Sequence, residues 1–215
     1  MSNINSIDYE QVSEENLKRA INRKKLNLII NERLNSYHEG SVVVIQTPAE
    51  NYLDTNISSV KSMLDNGYEG IYLSFQRPFK NISSIFEKNQ IDLGKIFVID
   101  CATVFSNSNQ DLNLHCVNID SCFEVDNIVE KICNGIGNLK SDKKFVFVDS
   151  LSTLALHSSY SETLRFSEFL INSVRKGKSD NVTFIFNVAK ELGKKRFIKN
   201  IDVYADEHIH LGLCT

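Results

Sequence analysis

The sequence predicts a three-layer α/β fold: a mostly parallel, twisted sheet with helices on both faces, and an extra helix at the N-terminus. The strand-like segments are continuous apolar runs, such as residues 42–45 and 145–148, a pattern typical of strands covered on both faces. Segments with apolar residues at spacings of three and four separate these runs and predict helices. Strands that alternate with helices favour parallel pairing.

Composition indicates one domain with an ordinary charge balance. The 215 residues are 42% hydrophobic with a net charge of -3, enough for one substantial core at residues 39–215 after a polar tail and helix at residues 1–38. This charge gives no general attraction to nucleic acid or to anionic membranes. No apolar stretch reaches membrane-spanning length, and residues 1–10 do not resemble a secretory signal. We expect no membrane partner.

The five cysteines favour a reducing compartment, because no CxxC pair and no zinc-ligand spacing occurs among them. They are Cys101, Cys116, Cys122, Cys133 and Cys214. We therefore expect a cytoplasmic protein without a metal site.

The N-terminal helix has an apolar face of its own. Leu17, Ala20, Ile21 and Leu28 fall on one side of a helix. We expect this helix either to pack across the outside of the sheet or to offer that face to a partner.

The chain is organised around residues 41–60, which predict a buried strand, a polar loop and a helix. In nucleotide-binding α/β proteins this first turn is glycine-rich, because glycine lets backbone N–H groups surround a phosphate, and a lysine adds charge. Between Gln46 and Asn56 there is no glycine, lysine or arginine.

The residues that replace the glycines oppose an anion. Pro48 has no N–H to donate, and Glu50 and Asp54 bring carboxylates to the helix N-terminus, where they interact favourably with its dipole. Residues 54–56 (Asp-Thr-Asn) are all good N-cap residues, so we expect the helix start to cap itself. The hypothesis is a phosphate site filled by the chain's own side chains.

The order of elements, with the strand at residues 145–151 and the closing segment 202–211, resembles the KaiC-like branch of the RecA ATPase superfamily. More closely, it is similar to archaeal KaiC-like proteins that lack a phosphate loop. The resemblance covers residues 39–211 and implies a RecA-like three-layer domain. Every Walker A position differs from the family pattern: Gln46 and Ala49 stand for the first glycines, Asn51 for the third, Tyr52 for the lysine and Leu53 for the threonine, with Thr47 inside the same loop.

Two further positions come from the resemblance. Gln76 and Arg77 replace the family's glutamate pair, one of which polarises the attacking water. Asp149, followed by Ser150, retains the Walker B carboxylate. The resemblance thus implies a vestigial nucleotide site without catalytic residues, because phosphoryl transfer depends on the missing charges.

We therefore expect a non-catalytic KaiC/RecA-like pseudo-ATPase that acts as a regulatory or scaffolding protein, with no cofactor and an unidentified protein partner. Self-assembly into a homo-oligomer is left open. One alternative is an ATP-binding protein that holds Mg²⁺ on Asp149, with weak or no hydrolysis.

A second alternative, a nucleic-acid-associated RecA paralogue, rests on one basic cluster. The cluster comprises Lys190, Lys194, Lys195, Arg196 and Lys199. It lacks a stacking pattern of aromatic residues, so a solvated loop is the simpler interpretation and nucleic acid is not the expected partner.

Two other groupings are weaker. His208 and His210 alternate along a predicted strand and so project to one face, but no third metal ligand accompanies them. Ser150 and Ser152 with His157 lack the Gly-x-Ser-x-Gly turn of a serine nucleophile. We expect structural roles for both groupings.

Overall fold

A computed structural model describes residues 14–103, 116–118, 125–175, 182–192 and 196–212 of the chain. The helices are α1 (Glu14–Asn35), α2 (Tyr52–Asp65), α3 (Phe79–Lys88), α4 (Val125–Asn138), α5 (Leu151–His157), α6 (Tyr160–Arg175) and α7 (Arg196–Asp202). The strands are β1 (Val42–Thr47), β2 (Glu69–Ser74), β3 (Ile96–Asp100), β4 (Cys116–Asn118), β5 (Lys144–Asp149), β6 (Val182–Ala189) and β7 (Glu207–His210).

The strands form one seven-stranded sheet in the order β4-β3-β2-β5-β6-β1-β7. Every pairing in it is parallel, which confirms the predicted fold class. Strand β1 lies between β6 and β7, and β6 separates it from β5. The carboxyl ends of β2, β5, β6 and β1 therefore meet at one edge of the sheet.

Two apolar clusters cover the two faces of the sheet. One joins alternate residues of β1, β2, β5 and β6 to the helices α4, α5, α6 and α7. The other joins the intervening residues to α2 and α3, and adds residues of α1. Close packing on this second face explains Gly70, because a Cβ at that position would overlap the ring of Phe145.

Helix α1 packs mainly on α2. Its buried residues are Leu26, Ile30 and Leu34. The apolar face that the sequence predicted points to solvent instead: Leu17, Ile21 and Leu28 are 54%, 46% and 63% exposed. Packing of that face on the chain's own sheet is therefore wrong, and a partner contact stays a prediction.

The start of α2 also differs from the prediction. A 3₁₀ turn at Ala49–Asn51 leads directly into the helix, so residues 54–56 lie inside the first turns of α2. Asn51 is the N-cap residue, and its side chain makes no capping hydrogen bond. Self-capping by residues 54–56 is therefore wrong, because the chain turns into helix three residues earlier.

The basic segment near the C-terminus contains more helix than expected. Helix α7 begins at Arg196, within the basic cluster for which the sequence favoured a solvated loop. Lys194 and Lys195 lie outside the described residues. Among the described helices, none is both long and apolar enough to cross a bilayer.

Candidate functional site

A group of buried polar side chains lies where the carboxyl ends of four neighbouring strands meet, on the sheet face covered by α2. Thr47 ends β1, Tyr72 lies in β2, Asp149 ends β5 and Asn187 lies in β6. Helix α2 adds Asn56. None of the five side chains is more than 2% exposed, so each needs a hydrogen-bond partner inside the protein.

These five side chains form one directed chain of hydrogen bonds. The Thr47 hydroxyl donates to Asn187 Oδ1 at 3.1 Å, and Asn187 Nδ2 donates to Asn56 Oδ1. Asn56 Nδ2 then donates to the Tyr72 hydroxyl at 3.2 Å, and that hydroxyl donates to Asp149 Oδ2 at 2.5 Å. Every donor points toward the carboxylate, so each bond polarises the next in the same sense.

Burial dominates the electrostatics of Asp149. Removing the carboxylate from water raises its pKa, and the Tyr72 hydrogen bond and the Arg77 charge only partly offset that effect. Arg77 Nη1 lies 4.0 Å from Asp149 Oδ2. The other carboxylate oxygen, Oδ1, has no well-formed hydrogen bond among the described residues.

Tyr52 lies beside this carboxylate, at the position where the family resemblance places the Walker A lysine. Its side chain is 8% exposed, and its hydroxyl is buried without a well-formed hydrogen bond among the described residues. Burial and the negative charge of Asp149 raise its pKa well above the usual value. A neutral phenol therefore lies beside the Asp149 carboxylate.

The structure brings only some of the predicted site residues together. Tyr52, Arg77 and Asp149 are neighbours, and Thr47 joins them through the hydrogen-bond chain. The other predicted residues have different surroundings: Gln46 is half-buried in β1, Ala49 is exposed, Asn51 is the N-cap residue of α2 without a side-chain capping hydrogen bond, Leu53 packs against the apolar cluster on the α2 face, and Gln76 is exposed and accepts a hydrogen bond from Arg77.

Ser150 has a local structural role as the N-cap of α5. Its hydroxyl accepts a hydrogen bond from the Thr153 N–H at 3.0 Å. Ser152 likewise accepts from the Ala189 N–H at 2.8 Å, which joins α5 to β6. Both hydroxyls thus satisfy backbone groups, as expected for structural serines.

Three members of the buried chain were not singled out from the sequence as site residues. In sequence, Tyr72 is an ordinary strand aromatic, and Asn56 was predicted only as a capping residue. Asn187 carries the clearest signal, since it is an amide within a mostly apolar strand (VTFIFNVA). An isolated buried amide indicates a buried partner, but the sequence does not say which one.

The histidine pair lies on the edge strand β7, with rings stacked 6.1 Å apart. This confirms that both project to one face. His208 Nδ1 lies 3.4 Å from Asp202 Oδ1. No group of three or more metal-ligating side chains occurs within the described ranges.

Three of the five cysteines lie among the described residues. Cys101, Cys116 and Cys133 are in the thiol form. Burial and the Asp100 charge raise the pKa of Cys116 to about 12, so it carries little thiolate near neutral pH. Cys122 and Cys214 lie outside the described residues.

The structure resembles solved proteins from Pyrococcus horikoshii. The uncharacterised protein PH0321, solved in complex with an unknown peptide, superposes with a TM-score of 0.59 at 14% identity, over 84% of this chain and 81% of that one. The KaiC-like protein PH0186 gives 0.55 at 16% identity, over 81% and 72%. PH0250 gives 0.56 at 10% identity, over 85% and 87%.

These similarities establish a KaiC/RecA-like fold. No family model and no curated protein matches the sequence.

Proposed function

We propose that this chain is a KaiC/RecA-like domain that binds a protein partner and has lost nucleotide hydrolysis. One observation carries the proposal: Asp149, the carboxylate that would hold Mg²⁺, is engaged by the chain itself. Tyr72 donates a hydrogen bond to it, Arg77 supplies the positive charge nearest to it, and the Tyr52 ring lies beside it.

The neighbouring side chains do not fit Mg-ATP. A triphosphate needs inward backbone N–H groups and a lysine, but this loop begins with Pro48 and continues into a 3₁₀ turn that carries the Glu50 carboxylate. Asp54 lies in the first turn of α2, and its carboxylate is 3.2 Å from Arg23 Nε on α1. The positive charge near this helix end therefore belongs to an ion pair within the chain.

Catalysis is disfavoured more strongly than binding. Electrostatic stabilisation is usually the largest contribution to such transition states, and removing one donor typically costs about 3–4 kcal/mol. Gln76 and Arg77 follow β2 where the resemblance implies the general base. Neither can act as one, since an amide and a guanidinium do not accept a proton near neutral pH.

A binding role agrees with what remains on the surface. The structurally similar PH0321 was solved with an unknown peptide, and this chain exposes Leu17, Ile21, Leu28 and Ile29 along α1. Exposed apolar side chains grouped on one element indicate an interaction site.

The alternative, an ATP-binding protein, has one observation in its favour. Asp149 Oδ1 has no well-formed hydrogen bond among the described residues, and such an oxygen could serve as a Mg²⁺ ligand. Thermal unfolding with and without millimolar Mg-ATP separates the two proposals. A ligand at a hundred times its Kd adds about 2.7 kcal/mol of stability, which is a shift in Tm of several degrees for this length.

We expect neither Mg-ATP nor Mg²⁺ alone to shift the Tm of the wild type. We expect the same result for the Asp149→Asn variant. Asn keeps an oxygen that accepts from Tyr72 but is a poor Mg²⁺ ligand. A shift in the wild type that Asp149→Asn abolishes would establish the nucleotide-binding alternative instead.

A further inference from the structure

The groove between α1 and α2 is built around a ladder of paired polar side chains. Asn27, Asn31 and Asn35 follow one another at intervals of four residues on α1. They meet Ser58, Ser62 and Asn66, which have the same spacing on α2 and the residue after it. The Ser62 hydroxyl, for example, donates to Asn31 Oδ1 at 2.9 Å.

Each asparagine uses only part of its amide in this ladder. Asn27 and Asn31 are exposed, and the ladder hydrogen bond is the only one that either side-chain amide makes among the described residues. An amide has both a donor and an acceptor end, so one end of each remains for a ligand. The groove beside them has a volume of about 420 Å³.

The spacing of these amides matches an extended peptide. Residues four apart on a helix lie about 6 Å apart along its axis. Alternate residues of an extended chain lie about 6.6–6.8 Å apart. A peptide that lies extended along α1 can therefore present the backbone amide groups on one of its edges to Asn27 and Asn31 in turn.

The charged and apolar residues that line the groove determine which peptide side chains it favours. Lys24 and Lys61 both line the groove, and neither has an ion-pair partner among the described residues. Arg23 also lines it but is held by Asp54 and Asn89. Leu28 adds an apolar wall that is 63% exposed, and Asp65 is the one carboxylate in the lining.

We propose that the α1–α2 groove binds an extended acidic peptide segment of a partner protein. The main chain of the peptide forms hydrogen bonds with Asn27 and Asn31, and its carboxylates form ion pairs with Lys24 and Lys61. This proposal rests on the binding role proposed above and names its surface and the chemistry of its partner. The apolar side chain of the ligand packs on Leu28.

The test uses two pools of fluorescein-labelled ten-residue peptides on the full chain, read by fluorescence anisotropy at low salt. Both pools alternate charged with aliphatic or aromatic positions, with Asp and Glu in one pool and Lys and Arg in the other. We expect binding of the acidic pool alone. Its affinity should fall about tenfold or more in the Lys24→Glu/Lys61→Glu variant, because two attractions become repulsions.

Matched controls come from the same helix. Lys25→Glu reverses one charge outside the groove lining, as each of the two groove substitutions does inside it, and should alter the affinity less than about twofold. Asn31→Ala should weaken binding of the acidic pool, whereas Asn22→Ala, also outside that lining, should not.

The inference is overturned if no acidic peptide binds at millimolar concentration, if both pools bind alike, or if the double lysine variant binds as the wild type does. Mg-ATP is titrated in parallel. A Tm shift with ATP contradicts the proposed function, whereas absence of both ATP and peptide binding contradicts only the groove.

Discussion

The buried carboxylate of Asp149 is stabilised by neutral donors more than by a counter-ion. Its hydrogen-bonded oxygen receives the Tyr72 hydroxyl, while Arg77 remains 4.0 Å away. A hydrogen bond to a charged group contributes about 1.5–3 kcal/mol net, which only partly offsets the cost of removing that charge from water. Burial therefore decides the direction in which the pKa of Asp149 moves.

Asp149→Asn tests that balance through pH. Because burial raises the pKa of Asp149 in the folded protein, the folded state binds the proton more tightly than the unfolded state. The wild type therefore loses stability as pH rises from the unfolded pKa through the raised folded pKa. We expect Asp149→Asn to gain stability relative to the wild type as pH rises above the unfolded pKa of an aspartate, about 3.9, as measured by urea unfolding.

Asp65→Asn on α2 controls for the loss of one negative charge. If Tyr72 and Arg77 outweighed burial, the folded pKa would be lowered. The relative stability of Asp149→Asn would then fall with rising pH, which is the opposite trend.

Helix α1 has apolar residues on more than one face, so its sequence alone does not determine which face is buried. The chain places Leu26, Leu28, Ile29 and Ile30 close together, so more than one helical face has an apolar stripe. The sequence favoured the face of Leu17, Ile21 and Leu28, but α2 contacts the face of Leu26, Ile30 and Leu34. Beside that buried face, serines of α2 donate hydrogen bonds to asparagines of α1.

Truncating one residue on each face distinguishes them. Ile30 is fully buried, so Ile30→Ala should lower the free energy of unfolding by about 2–5 kcal/mol through lost burial and a cavity. Leu28→Ala, on the exposed face, should change it by about 0.5 kcal/mol or less. Denaturant unfolding of both variants measures these differences, and equal losses would place the packing face elsewhere.

At the scale of the whole molecule, we expect the middle strands of the sheet to be the most stable part. Strands β5 and β6 have neighbours on both edges, and most of their side chains are buried. Strands β4 and β7 form the two edges. Strand β4 has three residues, short enough to limit unwanted pairing with another chain.

Amide hydrogen exchange should follow this order. We expect the amides of β5 and β6 to exchange only through global unfolding, and those of β7 to exchange at least about tenfold faster through local opening. Exchange read by mass spectrometry on peptides from each strand measures the difference. Equal protection of β7 and β5 would mean that the edge strand opens only with the whole core.

Much of the architecture could be predicted from local sequence. The continuous apolar runs predicted parallel strands covered on both faces. Such strands have no solvent-facing side, so apolar and polar residues do not alternate along them. The composition of residues 46–56 likewise excludes a glycine-rich phosphate loop without any coordinates. These properties depend on residue types within short segments, which the sequence displays directly.

Only the tertiary structure decided what surrounds Asp149 and which face of α1 is buried. Tyr72 precedes Asp149 by 77 residues, and no local spacing pairs two positions so far apart. Their hydrogen bond forms because β2 lies beside β5, and Asn187 joins the same chain because β6 lies on the other side of β5. The order of strands in a sheet depends on packing across the whole chain, so it and the contacts that follow from it are set by the folded molecule.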